Sequence, residues 1–574
     1  MTLTKSHSKN STSLYVTKSV RVNGKKTSRV IEKLGTVAEL EKKLGGHDPI
    51  EWAEKYVKEL TRLDKEGRRE SIVKYSPILL IDRGEQRLYS GGYLFLQRIY
   101  HDLGIDKICN IITQRHKFEF DINSILSRLV YGRIIFPASK IATYELSKKF
   151  LEPPRFEVQH IYRALEVIGE EMDFIQAELY KRSAKVIERK TGVLYYDCTN
   201  YFFEIEQEEN LKQYGYSKEH RPNPIVQMGL FMDGDGLPLA FSIQEGNTNE
   251  QTTLKPLEKK ILTDFELSKF VVCTDAGLSS AANRRFNDVG SRAFITTQSV
   301  KKLKKRLKEW ALDPTGWRLS AEDSGAGKLY DISKLNEAAH KESTFYKERW
   351  INEDKLEQRL IITYSIKYRD YQRRIRDGQV VRAQRLIESN PTKLKKANQN
   401  DYKRFVAKVS ATDEGEVAEN DFYYIDTQAI EAEEAYDGFY AVCTNLEDEV
   451  AAIVSVNHRR WEIEECFRIM KHEFKARPVY VKRDERIKAH FMTCFMSLLI
   501  YRILEKRLGE RYTCHQIIKE LRDMHFLEVP KEGYIPAYTR TDFTDALHEA
   551  FGFRTDYQIL THSHMKKILK LSKK

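Results

Sequence analysis

Two apolar runs, Val193-Leu194-Tyr195-Tyr196 and Val271-Val272-Cys273-Thr274, each close on an aspartate, Asp197 and Asp275. Short runs rich in β-branched and aromatic residues read as buried strands. An ionised carboxylate beside a buried strand costs on the order of several kcal/mol unless something compensates it. Two such acids suggest a shared counter-charge, and a divalent cation serves for both. Taken singly, each acid can also be read as a cap on a following turn.

The surrounding pattern gives a mixed α/β chain. GVLYYDCTNYFFEIE, KFVVCTDAG and Arg292 to Val300 read as strands, and IVQMGLFMDGDGLPLAFSIQEG reads as a hairpin turning at Asp233 to Gly236. A polar, charged region follows at 301–435. It contains the strand LEQRLIITYSIKY, the basic run Lys301 to Lys308 and an arginine-rich helix from Tyr371 to Ile387. YDGFYAVCTN is a last strand, and AAIVSVNHRRWEIEECFRIMKHEF reads as one strong helix. Upstream, 12–36 reads as strands around an Asn23-Gly24 turn, 37–67 as helix and 76–190 as mainly helical, with a new helix starting near Ser139. The expected division is 1–75, a hairpin and helix region; 76–190, a helical DNA-binding or dimerisation region; 191–300 with 436–530, a catalytic domain; 301–435, an insertion; and 531–574, a tail.

Composition narrows the partners. The chain has 574 residues and 41% hydrophobic residues, enough for several cores. Its formal charge of +12 points to a polyanion, nucleic acid before membrane. Seven dispersed cysteines show no zinc spacing and fit reduced thiols. The first residues, MTLTKSHSKNSTS, have no apolar core and are not a secretory signal. Phe491 to Tyr501 is too short to span a bilayer and reads as a buried helix. A protein of the cytosol is expected, with no membrane partner and no small-molecule substrate.

The third acid, Glu464, lies on the long helix. At about 100° per residue, Asn457, Arg460, Glu464 and Lys471 fall on one line beside the apolar stripe Ile463, Phe467 and Met470. A solvated face with i,i+4 pairing is the plain reading of that line. Read with the two aspartates, it completes an oxygen donor set suited to magnesium or manganese, with Arg460 and Lys471 placed for phosphate.

The segment from Asn457 to Lys471, Asn-x2-Arg-x3-Glu-x6-Lys, resembles the Tyr-x2-Arg-x3-Glu-x6-Lys signature of a large group of bacterial insertion-sequence DDE transposases, with asparagine at the tyrosine position. Asp197-Cys198-Thr199, Thr274-Asp275-Ala276-Gly277 with Asn283 downstream, Gly215 to Arg221, Gly246 to Glu250 and Tyr436 to Tyr440 resemble further segments of the same group. The resemblance spans roughly 12–510 and implies an RNase H-like catalytic core interrupted by a large β-containing insertion and preceded by a mainly α DNA-binding region. It implies catalytic and metal ligands Asp197, Asp275 and Glu464, holding two Mg2+ or Mn2+ ions. The DNA-phosphate contacts it implies are Arg460, Lys471, Asn457, Lys218 and Arg221. It further implies double-stranded DNA, as transposon ends and target, and a homodimer in a synaptic complex beside the prokaryotic nucleoid. Asp437 carries no metal role and reads as a turn acid. An endonuclease without strand transfer, or a DNA-binding copy without chemistry, are the alternatives.

Overall fold

The protein is described from a computed structural model covering residues 1–8, 11–22, 25–44, 48–67, 76–320, 327–389, 401–411 and 417–574. It divides into two compact units, Met1–Glu85 with Val529–Glu532, and Gln86–Glu528 with Gly533–Lys574.

In the first unit, β1 (Thr2–Ser8), β2 (Ser11–Val22) and β3 (Lys25–Thr36) form an antiparallel sheet in that order. The Asn23-Gly24 turn lies outside the described residues, and the pairing Val22↔Lys25 flanks it. Helices α1 (Val37–Leu44) and α2 (Pro49–Gly67) follow, and Leu14, Leu40 and Ala53 form a small core. Strand β1 escapes a reading by hydrophobic period, because six of its seven residues are exposed and mostly polar.

The second unit begins with β4 (Leu88–Ser90) and the helices α3 (Tyr93–Asp102), α4 (Ile105–Arg115), α5 (Ile122–Ile135), α6 (Lys140–Ser147), α7 (Val158–Glu170) and α8 (Met172–Ser183). Their starts follow local chemistry. Asp121 caps α5 by accepting from Ser124 N at 2.8 Å, and Ser139 caps α6 by accepting from Ala142 N at 3.2 Å.

A nine-stranded sheet carries the rest. Its strands are β5 (Val193–Phe202), β6 (Ile225–Asp233), β7 (Pro238–Glu245), β8 (Val271–Thr274), β9 (Ala293–Gln298), β10 (Arg318–Leu319), β11 (Thr344–Glu353), β12 (Leu356–Ser365) and β15 (Phe439–Thr444), in the spatial order β10-β11-β12-β15-β9-β8-β5-β6-β7. Strand β8 runs parallel to β5 and β9, and the other pairings are antiparallel. Between β7 and β8 lies α9 (Glu250–Asp264), and α10 (Ala281–Phe286), α11 (Lys305–Leu312) and α12 (Glu337–His340) follow. The stretch before β15 holds α13 (Ile366–Glu388), the hairpin β13 (Val406–Ala411) and β14 (Val417–Ile425), and α14 (Thr427–Glu434).

Alternation along β5 sets the two faces of this sheet. Leu194, Tyr196 and Cys198 pack with Leu254, Leu257 and Ile261 of α9. Tyr195 and Tyr201 turn to the opposite face, into the core that includes α17 (Asp484–Arg507). All of Phe491 to Tyr501 is buried there, as expected of a core helix. By length and composition α17 could cross a membrane, and its most apolar stretch is 94% buried inside the protein.

The region 301–435 contributes β10, β11 and β12, which extend the main sheet through the β12–β15 pairing. The region 531–574 is folded. It contributes β17 (Gly533–Pro536), α19 (Asp542–Phe551), β18 (Leu560–Thr561) and α20 (His562–Leu571), and the two strands join β16 (His525–Val529) and β4 in a four-stranded sheet, beyond α18 (Cys514–Asp523). The single helix read over 451–474 is three pieces: α15 (Val450–His458), α16 (Trp461–Arg468) after a turn at Arg459-Arg460, and a π-helical turn over Ile469–Glu473.

Candidate active site

Parallel pairing brings two acids together. The register Val193↔Val271, Leu194↔Val272, Tyr195↔Cys273 has a constant offset, and continuing it sets Asp197 of β5 level with Asp275, the residue after β8. Odd-numbered side chains on both strands face α15 and α16: Tyr195 donates from its hydroxyl to Val456 O at 2.9 Å, and Cys273 lies 3.8 Å from Asn457 Oδ1. Each acid uses one oxygen locally. Asp197 Oδ1 accepts from Cys198 N at 2.7 Å, and Asp275 Oδ1 accepts from Leu278 N at 3.1 Å, capping a 3-10 turn. The capping reading is therefore realised for Asp275, and it leaves the second carboxylate oxygen uncommitted.

Burial pushes the Asp197 carboxyl up to about 7; Lys218 opposes this and the neighbouring Asp275 adds to it. Two acids level on neighbouring strands, one of them poorly solvated, favour a cation beside them. Three basic side chains already answer part of that charge. Lys218 donates to Cys198 O at 2.6 Å and pairs with Glu250 at 3.1 Å. Burial works against its ammonium, but Asp197 and Glu250 outweigh it and hold the pKa above the ordinary lysine value. Lys471, in the π-turn, donates to Thr199 Oγ1 at 2.5 Å. Its ammonium is pushed down to about 8, by burial first and then by Lys218, with Asp197 acting the other way. Arg460 is raised against burial by Tyr440, Asp197, Glu464 and Asp275, and its Nε is buried without a hydrogen-bond partner.

Glu464 stands apart from the aspartates. Its side chain is 60% exposed and pairs with Arg460 at 3.4 Å. Among the described residues, the one set of three His, Cys, Asp or Glu side chains with ligand atoms all within 4.8 Å of one another is Asp545, His548 and Asp556, so Asp197, Asp275 and Glu464 do not close to that spacing. Arg460 lies within electrostatic reach of all three. The oxygen-only donor set and the raised Asp197 carboxyl fit a hard divalent ion.

The remaining candidates are placed by their loops. Gly215 lies so close to the backbone of Gly246 that a Cβ would come within 2.0 Å of its carbonyl oxygen, which sets the Gly215–Arg221 segment against Gly246–Glu250. Asn249 then caps α9, accepting from Gln251 N at 3.0 Å, and Glu250 meets Lys218. Arg221 stacks over Phe202 at 4.2 Å, away from the hydrogen bonds that fix Lys218. Asn457 is buried, and its amide donates to Tyr440 Oη at 2.9 Å. Asp437 is tied to Arg376 by two contacts of 2.7 Å, which accounts for one of the arginines of α13 structurally. The Lys301–Lys308 run is largely exposed, and Lys304 pairs with Glu353 at 3.0 Å.

Several contributors were not legible in local sequence. Thr199, Glu219, Glu250 and Tyr440 each lie inside one of the segments that carry the resemblance, but their contacts with Lys471, Lys218 and Asn457 are made between segments distant in the chain. Beside Glu464 opens a cavity of about 680 Å³, lined by Tyr368, Tyr371 and Arg374 of α13 together with Tyr440, Arg460 and Trp461. The periodicity gave no hint of it, because it forms between α13 and α16.

Residues 202–500, just over half the chain, match the family model for the transposase DDE domain. The chain belongs to the DDE transposases and is an enzyme of that class. Residues 2–71 match the N-terminal domain of the IS1634 family transposases, which makes it a transposase of the insertion-sequence type. Asp275 and Glu464 lie inside the DDE match, and Asp197 lies just before it. Among solved structures, the cryo-EM structure of a piggyBac transposase synaptic complex with hairpin DNA is similar at 7% identity over 76% of this chain and 82% of that chain. Its TM-score of 0.35 is too low to bear on the fold. No curated protein matches the chain.

Proposed function

We propose that the protein cuts phosphodiesters at transposon ends and joins the freed 3′ ends to target DNA, with Asp197, Asp275 and Glu464 holding two Mg2+ or Mn2+ ions. The observation that carries this reading is the level placement of Asp197 and Asp275 on neighbouring parallel strands. The run β7-β6-β5-β8-β9, three antiparallel strands followed by two parallel to the first, supports an RNase H-like core around them. Metal ions held there would polarise the attacking oxygen and stabilise the leaving one.

The protein's own residues do the rest. Lys218 and Lys471 line the acid pair from two sides and meet the non-bridging oxygens of the scissile phosphate. Arg460, with its uncommitted Nε, takes a phosphate and so releases Glu464 to turn toward the aspartates. The aromatic and cationic cavity beside Glu464 suits a DNA strand. A water attacks in line first, and the freed 3′-hydroxyl attacks second. Arg221, which lies over Phe202, and Asn457, which ties α15 to Tyr440, complete the phosphate contacts. Two transposon ends must be joined in one event, so the working form is a dimer or larger assembly on DNA, in a prokaryotic cytoplasm.

Transposon-end oligonucleotides, a target plasmid and Mg2+ test the reading. Wild type yields cut and joined products. Asp197→Asn, Asp275→Asn and Glu464→Gln each fall by at least about a thousandfold, roughly 4 kcal/mol of barrier, while retaining DNA binding. Cutting without joined product leaves a nuclease, and a wild type silent with both Mg2+ and Mn2+ leaves a DNA-binding protein without chemistry.

A further inference from the structure

Pro137, Ala138 and Ser139 lead into α6 at the edge of a second cavity, of about 330 Å³, whose wall is completed by the segment after the π-turn and by α17. Its polar lining is Arg133, Ser139, Lys140, Lys475, Arg477 and His490, and no carboxylate lines it. Lys140 and Arg133 are each only 6% exposed. Lys140 Nζ has no hydrogen-bond partner. Arg133 donates to the carbonyls of Phe474 at 3.1 Å and Lys475 at 3.4 Å, and its Nε is left without a partner. Arg477 is paired with Glu219, and Lys475 is exposed at the mouth.

Two buried cations side by side, with unused donors and no counter-ion, are costly unless an anion joins them. A methionine or leucine at 140 would fill the same space without that cost. His490 does not supply the charge. Its Nε2 lies 3.0 Å from Ala476 O, and burial, then Lys140, then Arg133 hold the ring neutral. The N-terminus of α6 adds a partial positive charge at the same wall. Burial and Arg133 push the Lys140 ammonium down to about 7, which an arriving anion would reverse.

We propose that this cavity is a phosphate site, occupied by a backbone phosphate of bound DNA. The identity of the phosphate's owner rests on the transposase reading; the anion site itself does not. DNA is favoured because the cavity shares a segment with the acid site. Glu219, which pairs with Arg477, also lies 3.8 Å from Lys471, so one carboxylate links the two places. A strand lying across Lys471 continues toward Lys475 and the exposed Tyr480.

The test is binding of transposon-end duplex by fluorescence anisotropy over a salt series in metal-free buffer, with inorganic phosphate as a second titrant followed by thermal shift. Lys140→Met is expected to bind DNA about tenfold more weakly, with a log–log salt slope shallower by about 0.9 for the one lost phosphate contact. Equal DNA affinity and slope in the variant overturn the proposal; if inorganic phosphate nevertheless stabilises wild type alone, the occupant is a free anion rather than DNA. Should Lys140→Met not fold, acetic anhydride labelling of wild type decides. Protection of Lys140 by DNA supports the site, and equal labelling with and without DNA overturns it. A wild type that binds no duplex sinks the DNA-processing reading together with this one, whereas a wild type that binds and cuts while Lys140→Met binds equally sinks only the cavity.

Discussion

Single residues carry more of the site's logic than their local sequence suggests. Glu258 shows how burial alone sets a titration. It is buried in α9, accepts from Asn287 Nδ2 at 3.1 Å and lies 3.4 Å from Arg292, yet burial wins and its carboxyl is pushed up from 4.5 to about 7. With the folded pKa above the unfolded one, the protonated form is favoured by folding. Stability from this group is therefore complete below about pH 4.5 and lost as pH rises through 7. Glu258→Gln should be the more stable protein above pH 7, by about 2 kcal/mol, with no advantage below pH 4.5; denaturant melts at pH 5 and 8 read this, and an equal effect at both would remove the argument. Arg376 poses the opposite case. It and Asp437 are both about 5% exposed and are joined by two hydrogen bonds of 2.7 Å. Arg376→Met leaves the buried Asp437 carboxylate with only the longer contact of 3.4 Å to Arg373 and should cost about 3 kcal/mol. The exposed Arg385→Met should stay within about 0.5 kcal/mol in the same urea titration.

At the scale of elements, the strands that carry the acids were legible and the key helix was not. β5 and β8 announce themselves by the apolar run before each acid, although β5 continues to Phe202, and the β6–β7 hairpin by its Asp-Gly-Asp-Gly turn. The helix carrying Glu464 misleads, because a wheel at 100° per residue assumes an unbroken α-helix. The turn at Arg459-Arg460 interrupts it without proline or glycine, and the π-turn over Ile469–Glu473 adds residues per turn and shifts the phase. Arg460 and Glu464 remain neighbours at i,i+4, while Lys471 swings to Thr199 instead of continuing their line. Ile463, Phe467 and Met470 are buried as the pattern required, since burial selects apolar residues whatever the local pitch. The loop pair that positions Lys218 depends on a backbone approach. Gly215→Ala forces a contact at 2.0 Å with Gly246 O and should displace Lys218 from Glu250. We expect at least tenfold less strand cleavage, on the order of 1.4 kcal/mol of barrier, with helix content by circular dichroism unchanged. Cleavage at the wild-type rate would show that the Gly215–Gly246 approach does not position the site.

For the whole molecule, the decisive fact is that 301–435 is woven into the main sheet. β12 pairs with β15 from Arg359↔Thr444 to Tyr364↔Phe439, and β15 pairs with β9 on its other side. Excising 301–435 and closing the gap with a short Gly-Ser linker would turn β15 into an edge strand bearing the formerly buried Ala441, Val442 and Cys443. The excised protein should be insoluble or lack a cooperative melt, as read by gel filtration and thermal denaturation; a soluble, cooperatively melting product would mean the strands are dispensable. The chain's own pattern determined that Asp197 and Asp275 follow apolar strand runs, that Phe491 to Tyr501 is a core helix, and that the fold mixes helix and sheet, because hydrophobic period is a local property of neighbouring residues; that Asp275 ends its strand while β5 runs on past Asp197 to Phe202 was decided by the pairing with β6. Only the tertiary structure decided which acids lie level, that Arg460 stands among all three, that Glu464 faces outward, and that Arg133 and Lys140 share a cavity without a counter-ion. Those depend on strand register and on helices brought together from distant parts of the chain, and no window of sequence contains them.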